Sequence, residues 1–270
     1  MYRKISIAAG VAALALLTSS CQKLQSRDQL NKGVQAYKNA QYPQAVENFK
    51  KAVDLDPNFP TARLYLATAY MSQYIPGAES PENVHMAENA FNEFQKVLEL
   101  DPKDENATAY IAKLYFDQKK MDKAMEWYKK VIAINPKNKE AFYTMGVIAW
   151  SQWLIPDREA RNKMGMKAED PGPLKDKKIR EELRAKYRPM LDEGVANMQK
   201  ALDIDPEYDE AMAYMNLLIR YRADLDNSPE EFKKDWDSAD NWVQKALSTK
   251  KIKNERLPKS GGGITNDVLK

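Results

Sequence analysis

A chain of 270 residues carrying 42 Lys and Arg against 39 Asp and Glu stands near charge balance, which gives it no general electrostatic drive toward nucleic acid. One His leaves no room for a multi-histidine metal site, and one Cys leaves none for an internal disulfide, so stability has to come from packing. No nucleophile–base arrangement is visible and the glycine run at residues 261–263 follows no strand, so the chain reads as non-enzymatic, without cofactor or metal.

In chain order, Arg3 and Lys4 come first, then an apolar run over residues 5–17, then Thr18, Ser19 and Ser20. These are the charged, apolar and small-residue zones of an export signal, and the run is shorter than the roughly 20 residues that span a bilayer. Residues 1–20 are therefore expected to be removed, which takes away two basic residues and no acidic one. With cleavage before Cys21, "LTSSCQ" resembles the lipobox of bacterial lipoproteins, although Thr18 stands where that pattern prefers Leu. The resemblance implies a lipid on Cys21, with residues 21–25 as anchor and short linker. Gln22 is not the Asp that retains some lipoproteins in the inner membrane, which implies an outer-membrane address facing the periplasm. The alternative is an ordinary exported protein with an unmodified Cys21.

From residue 26 the chain repeats itself. Four segments end alike, "KKAVDLDPNF", "QKVLELDPKD", "KKVIAINPKN" and "QKALDIDPEY", which contain Pro57, Pro102, Pro136 and Pro206. Pro102 and Pro136 are 34 residues apart, the repeat length of a helix–turn–helix unit. Ala124, Tyr128 and Val131 then lie at i, i+4 and i+7, one apolar stripe of a helix, and Pro136 closes it because proline cannot extend a helix. One such unit cannot bury its face alone, so the units must stack to acquire a core.

These endings and stripes resemble tetratricopeptide (TPR) repeats over residues 26–250. The resemblance implies an all-α, right-handed superhelical solenoid of TPR-like helix pairs at residues 26–59, 60–104, 105–138, 139–208 and 209–250. The family's small first-helix site holds Gly33, Ala67, Ala112 and Gly146, and its second-helix Ala site holds Ala45, Ala90, Ala124 and Gly194. Its aromatic site holds Phe49, Phe94 and Tyr128, with Met198 as a departure. The fifth unit has Asn216 at the small site and Lys251 where the closing proline belongs, but keeps Ala239, Val243 and Ala246, which suits a terminal cap. Residues 251–270 read as a flexible tail.

Three units exceed the repeat length. Ser80-Pro81-Glu82 and Ser228-Pro229-Glu230 each supply an N-cap, an N1 proline and a first-turn acid, so a long second helix restarting early is expected in units two and five. In unit four an inserted helical segment covers residues 154–188. Its part after Pro173 is expected to be helical and its earlier part, residues 154–172, a long irregular loop. With 11 basic and 7 acidic residues, residues 154–188 read either as a solvated charged helix or as an anion-binding patch. His85 reads as an exposed helix residue.

The resemblance further implies a concave groove lined by the first helices. Transferred position by position, it consists of Tyr37, Leu64, Tyr65, Tyr110, Lys113, Phe116, Tyr143, Val147, Trp150, Tyr214, Arg220 and Tyr221, with Leu30, Val34, Thr68, Met71 and Leu217 beside them. Aromatic rings suit a binding face because they bury much area at little entropic cost. The cations of the family's carboxylate clamp are mostly replaced by Tyr, Thr, Ala and Val, which disfavours recognition of a peptide C-terminus. The function implied is a membrane-anchored interaction scaffold of the bacterial cell envelope that binds a protein or peptide segment in the groove, with lipid on Cys21 and no nucleic acid. The alternative is a glycan- or peptide-binding lipoprotein that stacks its ligand on Tyr143, Trp150 and Trp153.

Overall fold

The structure, a computed structural model, describes residues 21–167, 170 and 172–256. The expected export signal, residues 1–20, and residues 257–270 of the expected tail lie outside the described residues. The described residues are all-α and contain no strand. They divide into two compact units at Pro136 and Lys137, each taken by itself below.

Unit one begins with α1 over residues 21–38, followed by α2 (Tyr42–Leu55), α3 (Pro60–Met71), α4 (Pro81–Leu100), α5 (Glu105–Asp117) and α6 (Met121–Ile134). Unit two contains α7 (Lys139–Lys163), α8 (Lys177–Ile204), α9 (Asp209–Ala223) and α10 (Pro229–Arg256). Successive helices pair as α3 with α4, α5 with α6, α7 with α8 and α9 with α10.

The α5–α6 pair shows how the sequence sets these boundaries. Asp104 caps α5, its carboxylate accepting the Ala107 N–H at 2.7 Å. The turn after α5 puts Lys119 in the left-handed region at φ 58°, and the Lys120 N–H reaches back to the Tyr115 carbonyl at 2.9 Å. The α1–α2 turn does the same with Ala40 at φ 58° and Gln41 donating to Ala36 at 2.9 Å. At the end of α6, Asn135 is extended (φ −129°, ψ 94°) because Pro136 disfavours the helical conformation before it, yet its N–H still donates to Val131. Asp56, Asp101 and Asp205 end α2, α4 and α8 in the same way before Pro57, Pro102 and Pro206.

The stripes anticipated from the repeats form the cores. In unit one Ala45, Phe49, Ala52, Ala90, Phe94, Val97, Ala124 and Val131 are fully buried, and Tyr128 is nearly so. Gly33 is needed because α1 crosses directly over Phe49, where a Cβ would overlap the ring. Phe49 in turn stacks on Tyr65 of α3 at 5.5 Å, and Phe94 on Tyr110 of α5 at 5.2 Å, so each second-helix ring fills the gap to the next pair. In unit two Met198 takes the aromatic position and packs on Gly146.

Both Ser-Pro-Glu segments start long second helices as expected: Ser80 accepts the Asn83 N–H, and Ser228 the Glu231 N–H. Asn83 adds a role the sequence did not advertise. Buried, it accepts the Ile75 N–H at 2.7 Å and donates to the carbonyls of Ile75 and Ala78 at 2.9 and 2.8 Å, pinning the loop before α4. In α10 Ala239 is buried while Val243 and Ala246 are only half-buried, as befits a last helix.

Unit four of the repeat differs from expectation. Residues 154–163, expected to be irregular, continue α7 to Lys163. The reason is a buried stripe of Trp153, Asp157, Ala160 and Arg161 at helical spacing, which outweighs the N–H missing at Pro156. Only residues 164–167, 170 and 172–176 are non-helical between α7 and α8 among those described. After Pro173 the chain is helical from Lys177, as anticipated, but it runs unbroken through Pro189 to Ile204 as one 28-residue helix. The segment at 154–188 is thus the extension of both helices of one pair. Residues 21–25, expected to be a linker, and 251–256, expected to be tail, are also helical.

Candidate functional site

The residues transferred to the groove separate into one cluster in each unit. In unit one Tyr37 comes from α1, Leu64 and Tyr65 from α3, and Tyr110, Lys113 and Phe116 from α5. Tyr37 shares a hydrogen bond with Ser72 (Oη to Oγ, 2.7 Å) and meets Tyr42 edge-on at 5.3 Å. Tyr65 is 37% exposed over Phe49, and Leu64 packs against the core. Burial, and then the neighbouring hydroxyls of Tyr37 and Tyr65, push the pKa of Tyr110 up, so the three first-helix tyrosines lie near one region. Lys113 is engaged by Asp117 at 2.6 Å, one turn on, and Phe116 is half-buried.

In unit two Tyr143 and Trp150 come from α7 and Tyr214 from α9. Tyr143 meets Tyr214 edge-on at 5.5 Å, and Trp150 meets Tyr214 edge-on at 5.2 Å. Tyr143 is pushed up to about 12, first by burial and then by Tyr214, Glu210 and Glu140. Val147, at 8% exposure, serves the core more than the surface. Arg220 is engaged by Asn216 at 2.8 Å and by Asp240, and lies 4.4 Å above the Trp236 ring. Tyr221 is half-buried beside Asp157 and Asp224; burial first, then those two carboxylates, raise its pKa. Trp153 is fully buried against Tyr187, so the stacking platform of Tyr143, Trp150 and Trp153 does not exist: one of its three rings has no free face.

Two features escaped the sequence reading. The first is Tyr208, which donates to Glu140 at 2.6 Å and places its ring 5.1 Å from Tyr143. Burial and the Glu140 carboxylate raise its pKa far above the usual phenol range. A signal was present: Tyr208 holds the N-cap position where Asp104 and Asn138 cap their helices, yet a tyrosine cannot cap there.

The second is a network of arginines and carboxylates. Arg161 holds Asp157 at 3.1 Å, Asp224 at 2.7 Å and the carbonyls of Lys167 and Asp170 at 3.2 and 3.0 Å. Arg184 donates to the Leu225 carbonyl at 2.8 Å, Arg188 binds the buried Asp226, and Arg222 forks onto Asp235 with two bonds of 2.7 Å. Burial pushes Asp224 up to about 7 against the pull of Arg161, and raises Asp157 and Asp226 as well. Arg161, Arg184 and Arg188 of the positively charged segment therefore turn inward, while Arg158, Lys175, Lys177 and Lys178 stay in solvent.

His85 is exposed and faces Glu88 at 3.2 Å. Cys21 is an exposed free thiol in α1. Among the described residues no helix is long and apolar enough to cross a membrane, and no group of three or more His, Cys, Asp and Glu is placed to hold a metal ion.

Comparison with known proteins agrees with this architecture. A family model described as TPR repeat matches residues 33–73 and 112–152, so the chain carries TPR repeats. Similar folds include MamA residues 41 to the end from Desulfovibrio magneticus RS-1, with a TM-score of 0.56 at 16% identity over 85% of this chain and 97% of that one. Another structure of MamA gives a TM-score of 0.55 at 17% identity over 87% and 96% of the two chains. YrrB, described as a TPR protein with an unusual peptide-binding site, gives 0.51 at 15% identity over 83% and 90%. At such identities the likeness is one of fold. No curated protein sequence matches the chain.

Proposed function

We propose that this chain is a non-catalytic interaction scaffold of the bacterial cell envelope, held at a membrane by lipid on Cys21, whose first-helix faces bind a segment of a partner protein. The observation that carries the reading is the concentration of half-exposed aromatic rings on those faces: Tyr37, Tyr65 and Tyr110 in one unit, Tyr143, Trp150 and Tyr214 in the other. In a protein stabilised by packing alone such rings belong in the interior, and here the interior is already filled by Phe49, Phe94, Met198 and the alanine stripes. Aromatic side chains with a neutral hydroxyl edge are what an interface uses for anchoring. The description of YrrB as peptide-binding supports the choice of a peptide segment over a small metabolite.

The envelope address is supported by the order of charged, apolar and small residues before Cys21. More than one acyl chain is required for a durable tether, and lipoprotein processing would supply it.

Site-specific photo-cross-linking from positions 65, 110 and 214 in cells of the source organism tests the interaction, and the expected result is one shared partner captured from all three. Capture of nothing from any of them sinks the binding reading. Mass analysis of the mature N-terminus tests the anchor separately: an unmodified Cys21 thiol removes the tether and leaves the faces to be judged alone.

A further inference from the structure

Unit two combines half-exposed rings with first-turn carboxylates. Glu140 stands in the first turn of α7 and Glu210 in the first turn of α9. Acids there favour the helix dipole on any helix, but these two also border the rings. Glu140 accepts the Tyr208 hydroxyl at 2.6 Å, Tyr208 lies 5.1 Å from Tyr143, and Tyr143 lies 5.5 Å from Tyr214. The charged side chains acting on the Tyr143 hydroxyl, Glu210 and Glu140, are both acidic.

The cations nearby are already engaged. Lys139 pairs with Asp205 at 2.5 Å while lying 4.7 Å from the Tyr208 ring, Lys253 pairs with Asp209, and Arg220 pairs with Asp240. Among the described residues, neither Glu140 nor Glu210 takes part in an ion pair. Lys or Arg side chains stand over Tyr70, Tyr115, Trp127 and Tyr208, among other rings, but among the described residues none stands over Tyr143, Trp150 or Tyr214. A ring face beside a carboxylate attracts a cation twice, through the quadrupole and through the charge, and the partial burial here strengthens both.

We infer that this face recognises a partner segment through a lysine or arginine side chain, placed against Tyr143 and Tyr214 with Glu140 and Glu210 as counter-charges. The inference rests on the reading of the first-helix faces as binding surfaces and adds the chemistry of one contact. It also assigns Tyr208 a positioning role, since its hydrogen bond fixes the Glu140 carboxylate at the edge of the rings.

The test is selection of a random-sequence peptide display library on the full chain, followed by fluorescence polarisation with a labelled synthetic copy of the selected sequence. The expected result is a selected sequence with a basic residue. Its affinity falls at least about tenfold when that residue is replaced by norleucine, and equally on the E140Q/E210Q chain. The substitution E140Q keeps an acceptor for Tyr208, so circular dichroism and melting temperature should be unchanged, and E140K/E210K should select acidic sequences instead. Selected peptides that depend on Tyr143 and Tyr214 but contain no required basic residue overturn the inference and leave the interaction reading standing. Selection of nothing, or of peptides indifferent to Y65A/Y110A/Y143A/Y214A, overturns both.

Discussion

The guanidinium of Arg161 meets the carboxylate of Asp224 at 2.7 Å, with both side chains nearly excluded from solvent. The same guanidinium holds Asp157 and two carbonyls of the α7–α8 connection, so one side chain joins α7, that connection and the turn after α9. A buried pair of this sort contributes little net stability compared with an apolar pair, but removing one member leaves a buried charge without compensation.

R161M should therefore destabilise unit two by roughly 3 kcal/mol, because Asp157 and Asp224 would then share a low-dielectric site with no cation. D224N, which keeps an acceptor for Arg161, should cost distinctly less. Urea unfolding of the two variants beside wild type measures this. A loss for R161M no larger than that of an exposed arginine such as Arg158 would show that the network does not hold the connection.

Stability should fall with rising pH between about 4 and 7. Asp224 is pushed up to about 7 from 3.8, so the folded chain binds this proton more tightly than the unfolded chain does. Its contribution is full below 3.8 and is lost as pH rises to about 7, with a slope of at most about 1.4 kcal/mol per pH unit for one group. Asp157 and Asp226, raised chiefly by burial, act in the same direction. Carboxylates with lowered values, Asp205 and Asp209 among them, act at lower pH, where they lose stability as pH falls. Urea midpoints from pH 4.5 to 8 should decline toward neutrality in wild type and flatten in D224N; parallel curves would refute the assignment.

K119G should stabilise the chain by about 1 kcal/mol. Lys119 sits at φ 58°, a region that costs an L-residue about 1–2 kcal/mol and a glycine almost nothing, partly offset by the greater freedom of glycine in the unfolded chain. A40G should do the same at the α1–α2 turn. Thermal unfolding reads the gain, and a loss in both variants would mean that the turn is held by something other than backbone preference.

G33A and G146A should separate in cost although both fill a first-helix small site. A methyl on Gly33 would enter the Phe49 ring, which cannot yield because it stacks on Tyr65; the expected loss is about 1–3 kcal/mol. A methyl on Gly146 would sit 2.6 Å from Met198 Cε, the far end of a flexible side chain, and 3.2 Å from the Gly194 carbonyl oxygen, and the gain in helix propensity of about 1 kcal/mol offsets part of the displacement. F49L should rescue G33A. Equal losses in the two single variants would contradict the packing difference.

Legibility in the sequence followed the range of the interaction. Each helix end before an Asp-Pro or Asn-Pro pair was readable because proline acts on its own neighbour. The stripe Ala124, Tyr128 and Val131 was readable because its members are apolar and lie on one helix. The continuation of α7 past Trp153 was not, because half of its buried stripe is Asp157 and Arg161, whose burial depends on Asp224, 63 residues further along. Tyr208 looked like part of a repeat ending, and only its distance to Tyr143 on another helix gave it a place beside the first-helix rings. Trp153 failed as a binding ring for the converse reason: sequence spacing puts it one turn from Trp150, and only packing against Tyr187 of α8 shows that it has no free face.

By itself, then, the sequence determined the all-α class, the helix pairs and their small-against-aromatic contacts, because capping, proline sterics and periodicity act within one or two turns. Which charges are buried and which rings keep a free face was decided only by the tertiary structure. Those properties depend on what an element distant in sequence lays over each side chain, and no local preference specifies that.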